Sequence, residues 1–373
     1  MATLLAGTSG CAELQADDLD GDERGSAIER DQSSDKQPVE GVEQAVYLPG
    51  PCIPTVFNPC PSGALLVGTK KPTGLAANDQ LVFWSSAPDA AGAAVFKIPV
   101  TGGAASTVVW SHTSPFPAYV TSLAIDPVNV YWFNADFDPN DPHNSISFPY
   151  TLWHAPQAGG TAASLFQGQT DTPTMPLQGL APSSTSQSVY AALTVSGIRR
   201  ASYLSFLNIH TWLNSAIELN GIPWYPFDLT VDTQNVYFSD NVAGSLYQRP
   251  LSLAADDPNV IHLGDAIATP NSPLANYNGR LYYASGNSIK SVPSGGGGQP
   301  STFATDSGPP TSFAVDGANL YWTCTKCGTV SKQAFGGGAA TVLAFNQSSP
   351  KFVAVNSTDV FWGTSSSIRY TTK

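Results

Sequence analysis

The sequence predicts an all-β chain folded as a seven-bladed β-propeller of four-stranded antiparallel blades, closed by an N-terminal outer strand in the last blade. Three observations carry this. Charged residues are only 12 % of the 373, while Gly and Pro number 33 and 30, a profile of short strands joined by tight turns. A twelve-residue phrase recurs along the chain, as in "SLAIDPVNVYWF" (122–133) and "SFAVDGANLYWT" (312–323). The two ends of the repeat array are complementary, because the last copy lacks a final strand that the first copy has in excess.

The recurring phrase reads as an apolar strand A, an Asp/Asn/Gly turn, and a strand B ending in paired aromatics. Further copies are "GLAANDQLVFWS" (74–85), "DLTVDTQNVYFS" (228–239) and "FVAVNSTDVFWG" (352–363), with weaker ones at 179–192 and 273–284. A second phrase follows most copies, among them "VFKIPVTGG" (95–103), "LWHAPQAGG" (152–160) and "TVSKQAFGGG" (329–338). It supplies strand C and a glycine turn, after which a strand D such as Thr341–Phe345 completes the unit. Four short antiparallel strands per unit of ~40–50 residues describe a propeller blade.

The aromatic marker steps 48 residues from Trp84 to Trp132, then 106 across a degenerate third copy to Phe238. It continues by 45, 39 and 40 through Tyr283, Trp322 and Trp362, which gives seven blades. Blade 3, about 174–225, is irregular: it lacks the Gly-Gly phrase and reads as helix-like from Tyr203 to Leu219, suggesting an insertion or long hairpin. The last blade stops at Lys373 after strand C, while "ALLVGTKKPTGLAAN" (64–78) aligns with "TVLAFNQSSPKFVAV" (341–355), a strand D followed by the next strand A. Ala64–Gly68 is thus expected to supply the missing strand and close the ring, leaving only short protected edges.

By these phrases, over about residues 62–373, the chain resembles bacterial secreted or lipoprotein β-propellers with "VDxxNVYW…GG" repeats. These are similar to the YWTD-repeat propellers of the low-density-lipoprotein receptor and to NHL-type propellers. The shared residues are packing residues, so Trp84, Trp132, Trp322 and Trp362 are read as core. The resemblance implies binding on the rim formed by B–C and D–A loops, or at the central channel.

On that rim the expanded loops are informative. "NADFDPNDPHNSISFPY" (134–150) places Asp136, Asp138 and Asn140 in the alternation by which an oxygen-rich loop wraps calcium, with His143 nearby. The sixth position is Asp141 where a calcium loop uses Gly, so a Pro-punctuated solvated loop is the competing reading. The loops "WSHTSPFPAY" (110–119) and "GIPWYPFD" (221–228) offer His112, Phe116, Tyr119, Trp224 and Tyr225 for an aromatic recess suited to a sugar or peptide; blade capping is the alternative. The five histidines fall in no catalytic motif, and His154, in the strand-C phrase, is read as structural.

There are five cysteines. Cys11 follows a short apolar patch, as the lipidated residue of a bacterial lipoprotein does, although no Lys or Arg precedes it. If Cys11 is lipidated, the others pair as Cys52–Cys60 and Cys324–Cys327. For Cys324/Cys327 a turn-spanning disulfide leads over a thiol pair or a metal site, because strands flank the motif and the repeat puts the two pairs on opposite rims.

Between Ala12 and Ala45 eleven acids face three bases, a net of −8, so the remaining residues carry −12 − (−8) = −4. Residues 1–45 read as a signal remnant and disordered acidic linker ahead of a propeller at 46–373. No basic cluster suits nucleic acid, and no apolar run reaches the ~20 residues of a membrane span. The expectation is therefore a monomeric, extracytoplasmic, non-enzymatic module of the cell envelope, secreted or held to the membrane by an N-terminal lipid. It would bind a protein or glycan, with no cofactor unless calcium. The alternative is a propeller lyase or hydrolase of a lactone or glycan, with its site on the rim of blades 1–3.

Overall fold

The computed structural model describes residues 63–69, 71–89, 92–102, 107–112, 118–136, 148–170, 177–183, 188–193, 197–202, 209–213, 226–240, 244–253, 260–265 and 272–373. The expected linker at 1–45 lies outside them. Every described element is a strand.

Strand β1 is Ala64–Gly68. The next four, β2–β5, are Pro72–Ala77, Leu81–Asp89, Gly92–Pro99 and Thr107–His112. Then come β6–β9 (Ala118–Ile125, Asn129–Asp136, Phe148–Pro156, Ala163–Thr170) and β10–β13 (Leu177–Ser183, Ser188–Leu193, Gly197–Ser202, Ile209–Leu213). β14–β17 are Pro226–Val231, Asn235–Asp240, Ser245–Pro250 and Ile261–Asp265, and β18–β21 are Leu274–Tyr277, Arg280–Ser285, Ser288–Pro293 and Ser301–Thr305. β22–β25 are Ser312–Val315, Asn319–Cys324, Thr329–Ala334 and Thr341–Ala344, and β26–β28 are Phe352–Val355, Asp359–Gly363 and Ser367–Thr372.

Among the described residues these strands form seven four-stranded antiparallel sheets, called blades 1 to 7 from β2–β5 onward. Six are simple meanders; the seventh has the order β1-β28-β27-β26. First strands of successive blades are neighbours, and β2 also meets β26, so the sheets stand in a propeller ring. Strand β1 pairs with β28 from Ala64↔Tyr370 to Gly68↔Ser367. The seam is reinforced by Thr69 N–H to Ser366 O (2.9 Å), Arg369 Nη2 to Gly63 O (3.0 Å) and Ser357 N–H to Asp79 Oδ1 (2.7 Å).

The repeated phrase explains itself at the A–B turns. Asp126 Oδ1 accepts the N–H of Val128 and Asn129 (2.7 and 2.6 Å), and its Oδ2 accepts the Tyr131 hydroxyl (2.7 Å). Asp232 and Asp316 repeat this set with Tyr237 and Tyr321. An Asx side chain thus satisfies the turn's free amides, and the tyrosine locks it onto strand B. Asn78 and Asn356 make the same turn without the tyrosine. In blade 5, Asn278 and Gly279 both take positive φ (47° and 71°), the two-residue hairpin solution for Asn-Gly.

The aromatic markers fill the spaces between blades. Trp84, Trp132, Trp322 and Trp362 are at most 1 % exposed. Trp84 packs with Leu66, Leu75, Phe361 and Ile368, joining blade 7 to blade 1; Trp322 packs with Ala275, Tyr282 and Ile289, joining blade 5 to blade 6. Three of the four indole N–H groups, those of Trp84, Trp322 and Trp362, reach to the residues just past the preceding blade's last strand. Trp84 donates to Thr69 (3.0 Å), Trp322 to Asp306 (2.5 Å) and Trp362 to Gln347 (2.8 Å). A buried indole therefore gives both apolar area and a specific latch.

A second belt runs along the opposite rim, at the residue after strand C. Gln157 of blade 2 accepts Asn78 of blade 1 (2.5 Å) and donates to Asp126 O; Phe335 of blade 6 stacks on Tyr277 of blade 5 (4.1 Å). In blade 7 this position is Lys373, whose ammonium pairs with Asp316 of blade 6 (2.6 Å) and lies 5.5 Å from the Tyr321 ring centre. Burial alone would raise the Asp316 carboxyl, but Lys373, the N–H of Ala318 and Asn319, and the Tyr321 hydroxyl together hold it at about 2. A depressed carboxyl stabilises the fold above its unfolded value near 3.8, and that stability is lost as pH falls toward 2. Lys373→Met should therefore lower stability by ~1 kcal/mol at pH 6 and by less at pH 2.5, read from urea melts at the two pH values.

One expectation needs correction. Within the helix-like run 203–219, Ile209–Leu213 is strand β13, paired to β12 from Ile198↔Leu213 to Ala201↔Ile209. The free edge of β12 offers backbone partners, and Ile209, Thr211 and Trp212 suit a strand, so pairing overrides the helical spacing.

Candidate functional site

Where the first strands converge on the ring axis they line a cavity of about 640 Å³. All seven blades contribute: Thr73 and Gly74, Thr121 to Leu123, Leu180, Phe227 and Asp228, Pro273 and Leu274, Thr311 to Phe313, and Lys351 to Val353. Thr325, on the B–C turn of blade 6, adds to the wall, which places the cavity on the D–A and B–C side. A cavity of this size is within the range of small-molecule sites.

Hydroxyls at the strand starts are tied down. Thr73 Oγ1 donates to Ser85 Oγ (3.0 Å) and Thr311 Oγ1 to Thr323 O (3.1 Å). Thr325 Oγ1 meets Thr311 Oγ1 (3.0 Å) and donates to Pro350 O (2.7 Å). Most of these bonds lie within one blade, and Thr325 to Pro350 O ties blade 6 to the chain that enters blade 7.

One column of equivalent positions lies within or just before each first strand. It holds Gly74, Ser122, Gly179, Asp228, Pro273, Ser312 and Phe352. Ser312 Oγ accepts Val353 N–H (3.2 Å), and Asp228 Oδ2 accepts Leu274 N–H (2.9 Å), in each case from the following blade. At Gly179 a Cβ would fall 2.6 Å from Leu229 N, so only glycine allows that close approach. Asp228 also accepts Leu229 N–H at Oδ1 (2.9 Å). Burial pushes its carboxyl up to about 7 against the lowering effect of these two N–H donors. Serine serves at the equivalent place in blade 6, so the charge of Asp228 exceeds what the stitch requires.

The Cys324–Cys327 pair is a disulfide, with Cα atoms 5.2 Å apart, across the β23–β24 turn. Gly328 closes this turn at φ +66°, donating to Cys324 O (3.0 Å). Asp306 lies beside the sulfurs, its carboxylate and both Sγ atoms within 4.8 Å of one another. With the sulfurs bonded to each other the trio offers no thiolate, and the Asp306 carboxylate serves Trp322 instead. The disulfide presses on the entering loop: a Cβ at Gly308 would sit 2.6 Å from Cys327 Sγ. His154, half-buried and stacked on Tyr131 (6.1 Å), has its basicity lowered by burial, against the pull of Asp126. These contacts fit packing.

Of the candidates named from sequence, His112 ends β5 opposite Ala93, Tyr119 pairs with Ala135, and Asp136 ends β7 opposite Ala118. Their backbones lie on the cavity side of the ring, at strand ends next to the D–A and B–C loops. Phe116, His143, Trp224, Tyr225, Asp138, Asn140, Cys11, Cys52 and Cys60 lie outside the described residues. Sequence reading passed over Asp228 and Lys351. The signal was available for Asp228: a carboxylate in a column otherwise occupied by Gly, Ser, Pro and Phe.

No family model matches the chain, and no curated protein matches it. Among solved structures, the computationally designed Ika8 protein is similar over 81 % of this chain and 84 % of its own, with 16 % identity and a TM-score of 0.53. Raptor from Chaetomium thermophilum is similar over 83 % of this chain, with 11 % identity and a TM-score of 0.56. This chain spans only 29 % of that one. A chain of a nidogen/laminin complex aligns over 72 % of this chain and 77 % of its own, at 15 % identity and a TM-score of 0.39. At these identities the first two likenesses speak to the fold alone.

Proposed function

We propose that the protein is an extracytoplasmic seven-bladed propeller that acts as a non-enzymatic binding module, receiving its ligand or partner in the central cavity. The observation that carries this reading is the cavity itself, about 640 Å³ and lined by every first strand. Its walls are built by cross-blade hydrogen bonds, which hold it preformed. The Cys324–Cys327 bridge supports folding outside a reducing compartment, and Cys11 would tether the ring to a membrane if lipidated.

A ligand-observed NMR fragment screen against the full chain and Thr311→Trp tests it. Thr311 is exposed at the cavity wall, so the indole should fill the space; losing the hydroxyl's bonds to Thr323 and Thr325 should cost ~1 kcal/mol and leave the cooperative melt intact. Fragments that bind the wild type and are lost in the variant support the reading. Hits that bind both proteins equally, or turnover of lactone, ester or glycan probes by the wild type, would count against it.

A further inference from the structure

Building on the binding-module reading, we infer that the cavity selects a small zwitterion, a free amino acid or short peptide, with its amine at Asp228 and its carboxylate at Lys351. Among the described lining residues these two alone are charged. They belong to blades 4 and 7, three steps apart in the ring of first strands and so on facing walls. The remaining wall mixes threonine and serine hydroxyls with Leu, Phe, Val and Pro, which would pack the body of such a ligand without favouring either charge.

The two charges have different surroundings. Lys351 is exposed and extends from the start of blade 7 on a flexible stem. Asp228 is half-buried, and both of its oxygens already accept one backbone N–H. Each retains acceptor capacity, so an added ammonium need not break the stitch to blade 5. A cation alone would meet repulsion from Lys351, and an anion alone would meet Asp228. A ligand bearing both satisfies both walls.

Protonation adds a signature. Of the strands packed on Asp228, β10 carries no titratable residue and β11 carries the buried Tyr190. From β18 comes Tyr277, and from β15 come Tyr237 and Asp240. Tyr277 and Tyr237 are engaged at the opposite rim, with Gly317 O and Asp232. Asp240 is buried at the end of β15 in register with Pro226, and Lys351 lines the same cavity from blade 7. Because burial holds the Asp228 carboxyl near 7, below neutrality part of the population carries a proton there. An incoming ammonium favours the carboxylate, and the displaced proton passes to buffer. Affinity should thus rise between pH 6 and 8.

Isothermal titration with glycine, 4-aminobutyrate, 6-aminohexanoate and 8-aminooctanoate, each beside its amine-only and acid-only analogue, tests the assignment. We expect one chain length to bind best, with each single-charge analogue weaker by ~10-fold or more. Asp228→Ser keeps an acceptor for Leu274 N–H, as Ser312 does in blade 6, and should lose ~10-fold in affinity and the buffer-dependent heat. Lys351→Met should erase the preference for the zwitterion over its amine-only analogue. Equal binding of analogues and zwitterions, or affinity unmoved by Asp228→Ser, overturns the ligand class. If fragments still compete for the cavity and are lost in Thr311→Trp, the binding-module reading survives that failure. If none does, both fall.

Discussion

Removal of residues 1–70 is expected to abolish cooperative unfolding, whereas removal of residues 1–48 should leave the transition unchanged. Every described contact that closes the ring begins at or after Gly63. The longer deletion strips β1 from β28, leaving a strand edge open to self-association. It removes Leu66 from the cluster that holds Trp84, Phe361 and Ile368, and it takes the Thr69 hydroxyl from the Trp84 indole. The loss combines a sheet strand with a core apolar side chain, more than the ~3–5 kcal/mol of a large core truncation alone. Urea unfolding of both truncations, followed by circular dichroism and tryptophan fluorescence, reads the effect. A longer deletion that melts with the parent's midpoint and slope would mean that the seam does not hold the ring.

The second large effect is expected at Trp322. Trp322→Ala should cost ~3–5 kcal/mol, because the indole fills the space between blades 5 and 6 and repacking there is limited by Tyr282 and Ile289. Trp322→Phe separates the two contributions. It keeps most of the apolar area but leaves Asp306 without its indole donor, a loss of ~1–2 kcal/mol. Equal costs for both variants would show that the latch dominates. A cost below ~1 kcal/mol for alanine would remove Trp322 from the core.

These two positions mark what the residues alone disclose. The A–B turns were legible because Asp126, Asn129 and Tyr131 act within one hairpin, so their spacing is their structure. Trp84 and Trp322 were legible because a repeated aromatic at a fixed place in strand B has no better location than the gap between blades. The closing strand was legible by alignment of 64–78 with 341–355, and the Cys324–Cys327 bridge by the strands on either side. The cavity was not. Its lining comes one or two residues at a time from strands separated by some 280 positions, from Thr73 to Val353, and no local pattern encodes that convergence. β13 was misread because apolar spacing over a short run suits either helix or strand, and the partner edge decides.

The pairing of β1 with β28 also has a mechanical meaning. The strands are antiparallel, and Ala64 lies opposite Tyr370, at the end nearest Thr372. Tension applied between the residues before Gly63 and the C-terminal Lys373 acts on neighbouring ends of the ladder and opens it at Ala64 first, one bond at a time toward Gly68. Peeling of this kind yields at far lower force than shearing all the bonds at once. A ring pulled by its two chain ends would therefore open first at its own clasp.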